Sequence, residues 1–132
     1  MRILVDTNVL ISAIIFGGTP RNLLLNLIKN GQQLFVSSYI DLEFHDKIKE
    51  KWANQYQEIY AIYRQIGFIF IESTTQTLGD LRDKKDIPVL SDAIYHQMDI
   101  ILTGDKDFLL ANLEKPLVLS PAMMNEFLQL NC

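Results

Sequence analysis

Ile3, Leu4 and Val5 form an unbroken run of branched apolar side chains that stops at the polar triplet Asp6, Thr7 and Asn8. A run so short and so uniformly apolar reads as a strand buried on both faces, the mark of a parallel sheet. Four more such runs follow at 34–36, 68–71, 100–103 and 117–119, with helical patterning in between. Strands alternating with helices require crossover connections and a sheet covered on both sides. The expected fold is therefore α/β: a three-layer α/β/α sandwich around a mostly parallel five-stranded sheet, one domain over residues 1–132.

The helices are read from their punctuation. The run 9–16 is helical and is broken by Gly17 and Gly18; Thr19 and Pro20 supply an N-cap and a first-turn proline for a second helix reaching about Asn30, with Gly31 as its C-terminal cap. Ser38 and Asp41 stand at capping-box spacing and predict a helix through about Lys51. Tyr56, Ile59, Tyr60 and Tyr63 share a helical face that ends before Gly67. The stretch 72–86 reads as loop or short helix, Pro88 opens a helix to about Met98, 104–107 is a turn, and Ser120 with Pro121 starts a last helix ending near Leu130.

Composition bounds the function. With 16 acids against 12 bases the formal charge is −4, and 48% of residues are hydrophobic. That apolar fraction excludes a disordered chain, and the acidic balance excludes nucleic-acid binding by bulk positive charge. Cys132 is the lone cysteine, so an internal disulfide is ruled out and no chemical role is expected of it. The first residues meet Asp6 after three apolar ones, too soon for a signal-peptide core, and no apolar run nears the roughly 18 residues of a membrane span. A soluble cytoplasmic protein with no membrane contact is expected.

Four acids fall where this fold gathers its ligands, beyond the carboxyl ends of the strands. Asp6 follows the first strand, Glu43 lies about a turn into the helix after the second, Asp86 precedes the Ile87-Pro88 helix start, and Asp105 follows the fourth strand by two residues. Converging carboxylates repel unless a cation neutralises them, and an all-oxygen donor set favours a hard ion, Mg²⁺ or Mn²⁺. Each acid also has a simpler reading: Asp6 as a helix cap, Glu43 as an i,i+4 partner of Lys47, Asp86 as a complement to the helix dipole, Asp105 as turn chemistry. Joint placement favours the site. Taking the four out of the count leaves twelve acids against twelve bases, so the chain's net acidity is concentrated in that one pocket.

The motifs VDTNVL at 5–10, Ser37-Ser38 with Leu42-Glu43, KDIPVL from Lys85, and TGDKDF at 103–108 together resemble the PIN-domain ribonucleases, particularly their toxin-like (VapC-like) bacterial group. The resemblance spans nearly the whole chain. It implies a PIN-like sandwich and a metal-dependent endoribonuclease whose acidic quartet holds one or two divalent ions. Carried over, Asp6 and Asp86 are direct metal ligands, with Glu43 and Asp105 as further ligands or supporting groups. Asn8 matches the polar residue after the first acid, and Thr103 the small hydroxyl residue before the last. Asp83 and Asp107 are auxiliary acids. The third motif also carries Asp83, and Asp92 stands where this group more often has a small apolar residue; Asp86 is taken as the third acid because its position ahead of Ile87-Pro88 matches the family. The implied reaction is phosphodiester hydrolysis leaving a 5′-phosphate and a 3′-hydroxyl, and the implied partners are RNA, a small antitoxin protein and a second copy of the chain.

Around the quartet, Arg82, Lys84 and Lys85 are candidates for steering phosphate. Lys47, Lys49 and Lys51 read as a solvated helix face; Trp52, Tyr56, Tyr60 and Tyr63 as core or dimer packing; His45 as surface; Asp92 and His96 as a solvated hydrogen-bonded pair. Two other functions compete. A catalytically silent domain binding RNA or protein is disfavoured by the presence of all four acids. Phosphoryl transfer through aspartate is disfavoured because position 8 is Asn where a second Asp is needed, and because Leu119-Ser120-Pro121 offers no lysine at the last strand.

Overall fold

The computed structural model describes residues 1–130; Cys132 lies outside them. The apolar runs form strands β1 (Arg2–Val5), β2 (Gln33–Ser37), β3 (Ile69–Ile71), β4 (Ile100–Leu102) and β5 (Leu117–Leu119). All pair in parallel, in the order β3-β2-β1-β4-β5. Ile3, Leu4, Val5, Val36, Ile101 and Leu102 are fully buried, as a sheet covered on both faces demands. The exception is β3 at the edge, where Ile69 and Phe70 are exposed.

Helices α1 (Thr7–Ile11), α2 (Gly18–Lys29), α3 (Ser38–Lys51), α4 (Tyr56–Gln65), α5 (Ile87–Tyr95), α6 (Lys106–Leu109) and α7 (Pro121–Leu130) flank the sheet. α1, α3 and α5 pack in succession, and α2 packs on α7. Among the described residues, no single helix is long and apolar enough to cross a membrane.

Strand order sets the site. β1 is central, the chain moves outward to β2 on one side, and it later returns to β4 on the other, so a crevice opens between the ends of β1 and β4. Val5 pairs with Leu102, which places Asp6 beside Thr103.

Local structure corrects several expectations. The first helix changes to a π-helical turn at Ser12–Phe16 and bends by 107° into α2. Arg21 braces that bend: its Nε donates to the Ala13 carbonyl at 2.8 Å and an Nη donates to that of Ile14 at 2.7 Å. Gly17, at φ +70°, takes the corner, so α2 begins at Gly18 and Thr19 caps nothing. The cap of α3 is Ser37, whose Oγ accepts from the Ile40 N–H; Ser38 Oγ instead accepts from the Ser73 N–H at 2.8 Å. Asp41 accepts from the Tyr63 hydroxyl at 2.8 Å and is paired with His45 rather than closing a capping box. His45 is not a free surface residue: it lies half-buried among Tyr56, Tyr60 and Tyr63, with Nδ1 2.8 Å from the Tyr56 hydroxyl. Residues 106–109, given to a turn and its exit, form the short helix α6.

The connection 72–86 has no regular structure until a 3₁₀ turn at Lys84–Asp86, yet it is fastened along α5. Ser91 Oγ accepts from the Leu78 N–H and donates to the Leu78 carbonyl, and Leu81 is buried. Gly79, at φ +77°, runs so close to α5 that a Cβ there would meet Leu90 Cδ2 at 2.7 Å. This fastening holds the acids at the end of the connection over the crevice.

Candidate active site

Asp6 sits at the end of β1 and caps α1. Its Oδ1 accepts from the Thr7 N–H at 2.8 Å, and its Oδ2 accepts from the Thr103 hydroxyl at 2.7 Å. The cap reading therefore holds, and the same side chain lines the cleft. At 6% exposure its pKa is raised, by burial first, with Glu43 and Asp105 adding and the two hydrogen bonds opposing. Thr103 Oγ1 also accepts from the Asp105 N–H, so one hydroxyl links the ends of β1 and β4. Asn8 Oδ1 accepts from the Gly104 N–H at 3.1 Å and braces the same turn.

Asp105 caps α6 through Oδ1, which accepts from the N–H groups of Asp107 and Phe108. Asp83 caps the 3₁₀ turn by accepting from the Lys85 N–H at 3.0 Å. A carboxylate oxygen from each of Asp83, Asp86 and Asp105 lies within 4.8 Å of the other two. Glu43 lines the same cleft from α3, as does Asp6 from β1, so five acids face a space of about 230 Å³.

Asp86 differs from the rest. It is 7% exposed, and its Oδ2 is buried without a hydrogen-bond partner among the described residues. Burial, then Asp105, Asp6, Asp83 and Asp107 in turn, push its pKa up to about 7. A buried carboxylate normally collects donors, and desolvation without them is costly. Thr7 Oγ1, buried beside the cleft, is likewise unpartnered. Two orphaned oxygens and five convergent acids are a donor set that suits a hard, oxygen-seeking cation.

Of the other candidates, Lys85 lines the cleft, whereas Lys84 pairs with Asp80 at 3.0 Å on the surface and Arg82 is exposed outside it. Asp107 acts on Asp86 through its field and does not line the cleft. Asp92 lies elsewhere: it is 1% exposed, accepting from the Ser73 hydroxyl and the Thr74 N–H, each at 2.7 Å. His96 reaches the Glu72 carbonyl instead, so the expected solvated Asp92–His96 pair does not form. Tyr39 and Thr7 line the cleft and were not singled out by pattern. Tyr39 precedes Glu43 by one helical turn, and that spacing is the signal that could have found it. Its hydroxyl pKa is raised by burial and then by Glu43, Asp6 and Asp86.

Comparison with solved structures places this arrangement on a known fold. A chain in the crystal structure of VapBC2 from Rickettsia felis, bound to a DNA fragment from their promoter, superposes with a TM-score of 0.73 at 20% identity, covering 91% of this chain and 98% of that one. PAE2754 from Pyrobaculum aerophilum superposes with a TM-score of 0.58 at 14% identity, covering 98% and 90%. No curated protein sequence matches the chain. The family model of the PIN domain matches residues 2–107, a span holding all five cleft acids, and the chain belongs to the PIN domain family.

Proposed function

We propose that the chain is a ribonuclease that hydrolyses RNA phosphodiester bonds with Mg²⁺ or Mn²⁺, and that it is the toxin of a toxin–antitoxin pair. One observation carries the enzymatic reading: Asp86 Oδ2 is buried, unpartnered and set among acids, a state that a divalent cation relieves. Asp6 and Asp86 would hold the ion directly, with Glu43 and Asp105 as further ligands and the Asp83 carboxylate close beside those of Asp86 and Asp105. When bound, such an ion supplies Lewis-acid stabilisation of phosphoryl oxygens and a water of lowered pKa.

The chain's own residues have separable tasks. Thr103 and the Thr7 N–H fix the rotamer of Asp6, and Asn8 holds the turn that carries Asp105. With its pKa pushed up to about 7, Asp86 is only partly ionised at neutral pH in the empty cleft and would give up its remaining proton on binding a cation. Lys85 and Lys47, both lining the cleft, draw the phosphate of an approaching strand toward a pocket that is otherwise acidic.

The toxin reading is supported by the resemblance of all four motifs to the toxin-like bacterial group and by the fold shared with a chain of VapBC2. It implies a cytoplasmic protein partnered by a small antitoxin and by a second copy of itself. The test is cleavage of a panel of single-stranded and structured RNAs, with fragment ends mapped. Wild type with Mg²⁺ or Mn²⁺ should leave 5′-phosphate and 3′-hydroxyl ends, and EDTA or Asp6→Asn should stop it. Full activity in EDTA, or equal activity of Asp6→Asn, would remove the reading.

A further inference from the structure

We propose that the face of α3 carrying Tyr39 and Lys47 is a nucleotide subsite, where the base next to the cleaved phosphate stacks on Tyr39 and its own phosphate meets Lys47. This rests on the ribonuclease reading and extends it to where the strand runs. Tyr39, Glu43 and Lys47 recur at steps of four and so lie along one stripe of the helix. All three line the acidic cleft and also a second, shallower depression of about 330 Å³, completed by Leu42 and Asp46. The two spaces thus share a wall, and a strand lying across the acids continues over Tyr39. Leu42, 62% exposed, adds an apolar surface to this extension.

Neighbouring residues anchor Tyr39 on this face and leave Lys47 free to meet a ligand there. The Tyr39 N–H donates to Ser73 Oγ at 2.9 Å, which fixes its backbone, while its hydroxyl has no protein partner among the described residues. Lys49 is turned to the Tyr56 ring, 5.4 Å from its centroid, so the basic run divides between two faces. The ion pairs within 4 Å among the described residues are His45–Asp41 and Lys84–Asp80, which leaves the Lys47 ammonium available. A ring and a cation along a cleft edge are the recurrent elements of single-strand recognition, and stacking is indifferent to base identity. A net charge of −4 gives no bulk attraction for RNA, so local contacts of this kind would contribute to its affinity.

The test is binding rather than turnover. Fluorescein-labelled oligo(U) and oligo(A) are titrated with the full chain in the Asp6→Asn background, in Mg²⁺, by anisotropy. Tyr39→Ala should weaken binding roughly 5- to 100-fold, and Tyr39→Phe, which keeps the ring, should bind like the parent. Lys47→Ala should lower the slope of log K against log salt by about 0.7, whereas Tyr39→Ala leaves that slope unchanged. Parent-like binding by Tyr39→Ala and Lys47→Ala, as expected if this face docks a protein instead, overturns the subsite, and so does a parent that binds neither oligomer. Cleavage of RNA by wild type and by Tyr39→Ala at equal kcat/KM removes the subsite and leaves the nuclease reading standing. Tyr39-dependent binding without any cleavage removes the nuclease reading and leaves the subsite.

Discussion

Two buried carboxylates on one helix have opposite fates. Asp92, well inside α5, has both oxygens filled by donors from the connection 72–86. Asp86, at the start of α5, is nearly as buried, yet one oxygen has no donor and its neighbours are acids. Asp92 ties a long connection to a helix, and the donors it accepts from stabilise its charge. Asp86 burdens the fold with an unneutralised charge, a condition found at binding and catalytic sites, where a ligand relieves it. The difference lies in donor supply rather than depth, and it can be broken or sharpened by substitution.

The largest contrast should come from Asp86→Asn. On the proposed reading it removes a ligand charge, and cleavage should fall roughly a thousandfold, about 4 kcal/mol of transition-state stabilisation. The same change removes the charge that the empty cleft cannot accommodate, so melting in EDTA at pH 8 should occur at the wild-type temperature or above it. A marked loss of thermal stability would show that Asp86, like Asp92, is held by the fold for the fold.

Asp92→Ala should do the reverse. It leaves the Ser73 hydroxyl and the Thr74 N–H without their acceptor and loosens a connection that also meets α3 through Ser38 and Tyr39. Denaturant unfolding should show a loss of about 3 kcal/mol, the same with or without Mg²⁺. Stability recovered by Mg²⁺ alone would place Asp92 with the site.

How much of this contrast the chain displays in one dimension follows from which contacts are local. Asp6 and Asp105 are legible because one directly follows, and the other closely follows, a run of branched residues that has to end at the rim of a parallel sheet, and Glu43 because helical phase carries it to the same rim. The Thr103–Asp6 bond follows once Val5 and Leu102 are in register. Asp92 is not legible. Its spacing to His96 suggests a local pair, while its true partners, Ser73 and Thr74, arrive from a connection whose path depends on Gly79, Leu81 and Ser91. The same path brings Asp83 to within 4.8 Å of Asp86 and Asp105, so an acid of uncertain rank in the sequence belongs to the tightest cluster. The misplaced caps have another cause. Ser37 and Ser38 are equally good caps by chemistry, and the choice is made by Ser73, which takes the second hydroxyl.

A pH series tests the comparison more finely. The folded pKa of Asp86 is raised to about 7, against roughly 3.9 in an unfolded chain, so the native state binds the extra proton between those values. Stability in EDTA should therefore fall as pH rises from about 4 to about 7 and level off above, with a contribution from Asp86 of at most about 1.4 kcal/mol per pH unit. Asp6, also raised, adds to the same trend. Asp86→Asn should flatten the dependence, and saturating Mg²⁺ should restore wild-type stability at pH 8. An equally steep decline in Asp86→Asn would assign the proton to another group.

The smallest expected effect belongs to Asp83→Asn. The amide keeps an oxygen that can accept from the Lys85 N–H, so the 3₁₀ turn ahead of α5 should persist and stability should be little changed. What is lost is one negative charge beside Asp86, whose pKa Asp83 helps to raise. Two opposed consequences follow: fewer charges to attract a divalent ion, and an Asp86 that gives up its proton more readily. The first should dominate where metal is scarce and the second at low pH. Cleavage should fall about three- to tenfold at limiting Mg²⁺ and neutral pH, recover as Mg²⁺ is raised, and show an acid limb moved toward lower pH. A loss as deep as that of Asp86→Asn, unrelieved by Mg²⁺, would make Asp83 an equal of Asp86 rather than one of the neighbours that raise its pKa.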